Sequence, residues 1–310
     1  MSRKRNANKN RKKRNWWVLT PLIAILVLFL AVGSYAAYIY FSVKGNIDGQ
    51  MHESVSAIDS ERTQKKLNER DNLNILLLGL DAESSDSGRS DAIMVMTLKP
   101  DGDRMQLISI PRDTRTTIIG REDRGEDKIN HAYAFGGADM AIETVENFLG
   151  IDLDFFVRLN MDGLAELIDE LGTITVNNEL EFSQSGYDFP IGPVDMDGAK
   201  TMSYVRMRKQ DPAGDFGRTE RQRKVIEAIV NEGATVANAT RIVEFTDILG
   251  GNMGTNMEFN DMLTLLQHYR NTRRNFETYQ VQGSGTMING VYYYIVDEEE
   301  VASVKSMIES

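Results

Sequence analysis

Several arginines and aspartates stand at turns where they could do phosphate chemistry. Arg89-Ser90-Asp91 precedes one apolar run, and Pro111-Arg112-Asp113 follows another. Tyr204-Val205-Arg206-Met207-Arg208 sets two arginines at i and i+2, which on a strand or extended turn face one side. In Asp215-Phe216-Gly217-Arg218-Thr219-Glu220-Arg221-Gln222, Arg218 and Gln222 are one helical turn apart, with Arg221 beside them. A helix starting there aims free N–H groups and its positive dipole end at whatever the arginines hold. The planar guanidinium fork grips phosphate through two hydrogen bonds, so converging arginines in an acidic protein point to a di- or polyphosphate ligand. Taken singly, each arginine is a surface ion-pair partner for the 46 acids. Taken together, Arg89, Arg112, Arg206, Arg208, Arg218 and Arg221 favour a site.

The acids Asp81, Asp91, Asp103 and Asp113 fall at strand ends, where ligands of α/β sheets bind. Singly, each serves equally well as a turn or capping residue. Asp91 and Asp103 lie at opposite ends of a hairpin strand, so simple pairing leaves them apart. Were they close, they would suit Mg²⁺, which takes one or two carboxylates plus phosphate oxygens and water. The chain has no cysteine and three histidines, which excludes disulfides, thiolate nucleophiles and cysteine-bound zinc. There is no Ser–His–Asp spacing, no GxSxG elbow and no P-loop. His131, in Lys128-Ile129-Asn130-His131-Ala132-Tyr133, reads as a structural hydrogen-bonder or a base, with the structural role favoured.

These residues need a scaffold, and the chain supplies one. Leu73–Leu80 is a continuous apolar run, the mark of a strand buried on both faces. Ala92–Leu98 and Met105–Ile110 are two further strands, joined by a hairpin turn at Lys99-Pro100-Asp101-Gly102. Helices are expected at Ser60–Arg70, Ala138–Leu149, Asp162–Leu171, Arg218–Val236, Asn260–Tyr269 and Glu298–Ile308. Strands are expected at Phe155–Leu159, Thr173–Val176, Thr278–Val281 and Val291–Val296. Strands interleaved with helices predict an α/β fold, a mixed central β-sheet flanked by helices. The composition, 310 residues with 41% hydrophobic and 26% charged, fits a folded globular chain.

The net charge of −11 hides an asymmetry. Residues 1–15 hold eight of the 35 lysines and arginines and no acid, leaving 27 basic against 46 acidic residues beyond them. Trp16–Phe41 is uncharged and apolar, long enough to span a bilayer. Trp16, Trp17, Tyr35, Tyr38 and Tyr40 suit its two interfaces, and the basic tail keeps the N-terminus cytoplasmic. An uncleaved anchor is favoured over a cleaved signal peptide, because the apolar run continues past Ser34-Tyr35-Ala36. The expected organisation is a cytoplasmic tail (1–15), a single transmembrane helix (16–41), a juxtamembrane stalk (42–70), a catalytic domain (71–237) and a C-terminal part (238–310) packed on or completing that domain. Topology alone accounts for the basic tail, so no nucleic-acid partner is expected.

In order along the chain, Asn74–Asp81, Arg89–Asp91, Ser109–Asp113, Lys128–Tyr133, Tyr204–Arg208 and Gly214–Arg218 with Arg221-Gln222 resemble the motifs of the LytR–CpsA–Psr proteins of Gram-positive cell envelopes. The resemblance runs over about residues 73–231. Departures are mild: Leu171-Gly172-Thr173 stands where a double glycine is common, and Met196-Asp197-Gly198 where Leu-Asp-Gly is usual. The resemblance implies a membrane-anchored phosphotransferase outside the cell. It would move an anionic glycopolymer, such as wall teichoic acid or capsule, from a polyprenyl pyrophosphate to a peptidoglycan sugar hydroxyl. Carried over, Asp91 and Asp103 resemble the carboxylates for Mg²⁺, with Mn²⁺ as the alternative ion. Arg89, Arg112, Arg124, Arg206, Arg208, Arg218 and Gln222 resemble the pyrophosphate-binding set, with Asp91, Arg89, Arg112 and Arg218 as the catalytic core. The general base is Asp91 or Asp113. Two competing readings are a non-catalytic binder of polyprenyl phosphate or wall polymer, and a membrane-bound transcription regulator. The regulator fits poorly, because residues 1–15 are too short for a DNA-binding fold.

Overall fold

The computed structural model describes residues 30, 33–35, 37–80, 88–233 and 242–310. Asp81 and most of the expected membrane segment Trp16–Phe41 lie outside the described residues. Among those described, no helix is long and apolar enough to cross a membrane. The chain divides into two units, Met1–Ser42 and Val43–Ser310. In the first, the described residues from 37 onward are helical, and Tyr40 and Phe41 meet edge to face. The second carries the fold.

Its elements are α1 (Ser60–Glu69), β1 (Leu73–Leu80), β2 (Ser90–Lys99), β3 (Arg104–Ile110), β4 (Arg115–Thr117), β5 (Glu126–Lys128), α2 (His131–Leu149), β6 (Phe155–Asn160) and α3 (Met161–Leu171). There follow β7 (Ile174–Asn178), β8 (Phe182–Gln184), β9 (Tyr187–Phe189), β10 (Gly192–Met196), α4 (Gly198–Arg206) and α5 (Asp215–Gly233). The chain ends with α6 (Ile242–Gly250), β11 (Met253–Thr255), α7 (Phe259–His268), β12 (Asn275–Gln280), β13 (Ser284–Ile288), β14 (Val291–Ile295) and α8 (Glu298–Glu309). Six strands form a mixed sheet in the order β11-β6-β1-β2-β3-β12. β1 runs parallel to β6 and antiparallel to β2, and β3 runs parallel to β12.

The central strand shows why its sequence is an unbroken apolar run. Leu76, Leu78 and Leu80 pack toward Ala138, Ile142 and Val145 of α2 and Val304 and Ile308 of α8. Leu73 and Ile75 point the other way, toward Ile226 and Val230 of α5 and Met262 and Leu265 of α7. Side chains alternate between strand faces, so a helix layer on each side demands apolar residues at every position. A second core gathers α3, α4 and the small strand pairs β7–β10 and β8–β9, around stacked Phe182, Phe189 and Tyr204. The segment expected to be a polar stalk instead contributes Val43, Ile47, Met51, Ile58 and Leu67 to the interior.

One backbone feature matters for the site. Within α2 the helix breaks at Gly136 and Gly137, where Gly137 adopts φ +66° and ψ −150°. A side chain strains at that φ, so glycine lets the turn carrying His131 and Phe135 swing away from the helix axis.

Candidate active site

The core of the site follows from the β2–β3 register. Ile93 pairs with Ile110, and continuing the antiparallel ladder by two residues sets Asp91 against Arg112. The Arg112 guanidinium donates to Asp91 Oδ2 at 2.7 Å. Asn130, buried at the start of the turn into α2, reaches Asp91 Oδ1 at 3.4 Å and donates its backbone N–H to the Arg112 carbonyl. Lys128 donates to Asp113 Oδ1 at 2.6 Å, and Asp113 lies 3.9 Å from Arg112. His131 contacts Asp127 through Nδ1 at 2.9 Å. The Lys128–Tyr133 motif therefore supports the Arg112 corner.

Helix α5 closes the other side. Its first residue, Asp215, sits among three arginines: Arg218 at 3.0 Å, Arg112 at 3.7 Å and Arg208 at 4.0 Å. Burial pushes the Arg218 guanidinium below the ordinary arginine range, and the charges of Arg112 and Arg208 push the same way, while Asp215 and Asp91 oppose them. The Nε atoms of Arg112 and Arg218, and Oε1 of Gln222, are buried without a hydrogen-bond partner. Buried polar groups are normally paired, so the two guanidinium N–H groups mark a place built for an anionic ligand, whereas the Gln222 amide oxygen calls for a donor.

Gln222 also forms part of the wall of an apolar cleft of about 190 Å³. Leu77, Ala92, Met94 and Val157 of the sheet, Leu164 of α3 and Ile226 of α5 line it. A cleft lined by aliphatic side chains, with Gln222 one helical turn from Arg218, can hold an amphiphile with a phosphate head.

Among the described residues, the other expected arginines make no ion pair with Asp91 or Asp215. Arg89 is exposed just before β2, and Arg206 is exposed at the end of α4. Tyr204–Arg206 is helical rather than extended, so Arg206 and Arg208 do not share a strand face. Arg221 is not a ligand arginine. It is buried, pairs with Asp211, and donates to the carbonyls of Tyr204 and Met207, tying α5 to the loop after α4. Arg124 is excluded from the cluster as well: it is exposed in the turn Glu122–Arg124, 3.6 Å from Asp123, and lines a different pocket.

Asp103 requires the largest correction. It lies in the turn at the far end of the hairpin, where Lys99 pairs with Arg104. The length of β2 separates it from Asp91, about 26 Å at roughly 3.3 Å per residue. It is exposed and pairs with Arg274 at 3.0 Å. Asp91 and Asp103 therefore cannot share an ion. Among the described residues no three acids or histidines gather as a metal cage. Among the described residues, Asp91 is what remains of the expected pair, and its Oδ1 accepts only the long contact from Asn130. That donor set fits Mg²⁺ shared with phosphate oxygens and water, since Mg²⁺ rarely takes an all-protein cage.

Fold and site together define a three-layer α/β domain with an arginine-lined anion site beside an apolar cleft. The chain belongs to the LytR_cpsA_psr family, whose model matches residues 39–310. It is 39% identical over 297 residues to the polyisoprenyl-teichoic acid–peptidoglycan teichoic acid transferase TagU of Bacillus subtilis, covering 96% of each chain. It is 42% identical over 289 residues to the TagU of Enterococcus faecalis, covering 92% of this chain and 94% of that one. The crystal structure of B. subtilis TagU superposes with a TM-score of 0.63 at 38% identity, over 77% of this chain and 96% of that one. A structure of TagT bound to LIIa-WTA superposes with a TM-score of 0.67 at 28% identity, over 77% of this chain and 90% of that one.

Proposed function

We propose that this protein is an extracytoplasmic transferase that moves a teichoic-acid-type glycopolymer from polyprenyl pyrophosphate onto a peptidoglycan hydroxyl, forming a phosphodiester. The observation that carries this reading is that helix α5 supplies Arg218 and Asp215 to the cluster and Gln222, Ile226 and Val230 to the cleft. Gln222 lines the cleft and follows Arg218 by one helical turn on α5, so a prenyl chain among Leu77, Val157 and Ile226 brings its pyrophosphate toward Arg112, Arg208 and Arg218. The names of the TagU relatives and the TagT complex support the same substrates.

Cleaving a pyrophosphate needs charge neutralisation and in-line positioning more than a protein nucleophile. Arg112 and Arg218 supply fixed positive charge, each with a buried Nε–H that has no hydrogen-bond partner of its own. Asp91 orients Arg112, and with the pyrophosphate oxygens it would hold Mg²⁺. That ion would neutralise charge developing on the bridging oxygen. The acceptor hydroxyl is the nucleophile, and Asp91 or Asp113 takes its proton. An uncleaved segment at Trp16–Phe41, preceded by a basic tail, would keep this domain beside a substrate that never leaves the bilayer.

The test is turnover by the full chain in detergent micelles. The mixture holds Mg²⁺, a synthetic polyprenyl-pyrophosphate-linked glycan and peptidoglycan fragments, and products are followed by mass spectrometry. A phosphodiester-linked glycan on the peptidoglycan is the expected product. Tight donor binding with no product across several donors would overturn the transferase in favour of a binding protein.

A further inference from the structure

A second pocket, of about 360 Å³, opens on the α2 side of the sheet, opposite the apolar cleft. Arg121, Arg124, Asp127, Phe135 and Tyr293 line it. Two acids line it, Glu126, which pairs with Arg115, and Asp127, which meets His131. The Arg121 guanidinium stacks 3.9 Å from the Phe135 ring centre, and Phe135 is exposed. Arg115 and Lys128, paired across β4 and β5, each lie 5.9 Å from the Tyr293 ring. Arg115 is neutralised by Glu126 and Lys128 by Asp113, but Arg121 has no ion-pair partner among the described residues. Aromatic faces beside an unpaired guanidinium suit a sugar ring that carries a carboxylate.

The pocket adjoins the arginine cluster. The Lys128 amine that lies over Tyr293 also holds Asp113, which lies 3.9 Å from Arg112. The Tyr294 backbone N–H donates to the Asp113 carbonyl, fixing β14 against that corner. In phosphoryl transfer the attacking and leaving oxygens lie roughly in line through phosphorus. With the prenyl phosphate leaving toward the cleft, the nucleophile must arrive from the opposite side, and that side holds this pocket.

We propose that the pocket formed by Arg121, Phe135 and Tyr293 is the acceptor subsite, binding a carboxylate-bearing hexosamine glycan, in a reading that rests on the transferase function above. The acceptor hydroxyl oxygen bonds to the polymer-bearing phosphorus as the bond from that phosphorus to the bridging oxygen breaks. The bridging oxygen departs with its electron pair as polyprenyl phosphate, and the hydroxyl proton passes to Asp113. The β13–β14 hairpin thereby contributes to acceptor choice rather than to donor binding.

The experiment compares full-chain wild type with Arg121→Gln and Tyr293→Ala in two arms. In the first, transfer is measured at saturating donor against acceptor concentration. Each variant should raise the acceptor KM about tenfold, the cost of one charge-assisted contact, while the donor KM stays at the wild-type value. In the second, binding of soluble peptidoglycan fragments is titrated by NMR without donor. Fragment binding by wild type that both variants lose sustains the subsite even if no transfer occurs, in which case only the transferase reading falls. An unchanged acceptor KM with unchanged fragment binding overturns the proposal. So does a raised donor KM alone, which would assign the pocket to the donor's polymer. Arg121→Lys, which keeps the charge, should recover part of the acceptor affinity, and matching Tm values exclude misfolding.

Discussion

Arg112 and Asp91 face each other across the open end of the β2–β3 hairpin, 2.7 Å apart, with Asp215 of α5 3.7 Å behind the guanidinium. One arginine thus joins the end of the sheet to the start of a helix. Neither its position nor its charge is incidental, because its buried Nε lies near two carboxylates yet donates no hydrogen bond. We expect Arg112→Ala and Arg218→Ala each to lower the transfer rate by about a hundredfold or more, the usual cost of one donor aimed at developing charge. Arg112→Lys should not recover it, because an ammonium cannot span Asp91 and the substrate as a fork does. Initial rates at saturating donor decide this, and losses under about tenfold for both alanine variants would contradict an electrostatic role.

The metal assignment separates two aspartates that look alike in the sequence. Asp103→Asn should transfer within about twofold of wild type, as expected for an exposed side chain far from the site. Asp91→Asn should lose most activity, and chelation of divalent ions should abolish the wild-type reaction until Mg²⁺ is restored. A titration of rate against Mg²⁺ checks both. Equal damage from the two substitutions would mean that the β2–β3 register is wrong.

How much of this was legible in the sequence depends on range. The central strand, the β2–β3 hairpin and helices α2, α3 and α8 announced themselves through unbroken apolar runs, turn residues and helical spacing. The hairpin also held the answer to its own metal question. Counting the ladder outward from Ile93 and Ile110 sets Asp91 against Arg112 and sends Asp103 to the far end, whereas the resemblance suggested an Asp91–Asp103 pair. Arg221 misled for a different reason: local spacing places it beside Arg218, but its partner, Asp211, comes from a loop whose course is fixed only by packing. Helix α4 was missed because Tyr204–Arg208 lacks a periodic apolar face and its helix is held by the second core. Asp215 drew no role in sequence, since only three-dimensional convergence makes one acid the neighbour of three arginines.

The apolar cleft predicts a dependence on tail length. Each methylene seated among Leu77, Val157, Leu164 and Ile226 should add about 0.8 kcal/mol of donor affinity until the cleft is full. A series of donors with successively longer prenyl chains should therefore bind tighter and then level off. Leu164→Trp, which projects an indole into the cleft, should make the plateau come earlier while leaving the affinity for inorganic pyrophosphate unchanged. Calorimetry on the series measures this, and affinity independent of tail length would detach the cleft from the donor.

The loop between α4 and α5, which carries Arg208, is held by a buried clamp. Arg221 and Asp211 are both nearly inaccessible, and Arg221 also satisfies the Tyr204 and Met207 carbonyls. Removing one partner leaves a buried charge uncompensated, so Arg221→Ala should destabilise the protein by about 3–5 kcal/mol. A second route to the same clamp leaves every charge in place. The Asp211 carboxylate packs against the Cα of Gly217, where an added Cβ would come within 1.8 Å of Oδ2. Gly217→Ala must therefore push Asp211 off Arg221 and shift the loop with Arg208. The expected outcome is a lower Tm together with weaker donor binding, both smaller than for Arg221→Ala. Wild-type Tm and donor affinity in Gly217→Ala would mean that the clamp does not position the arginines.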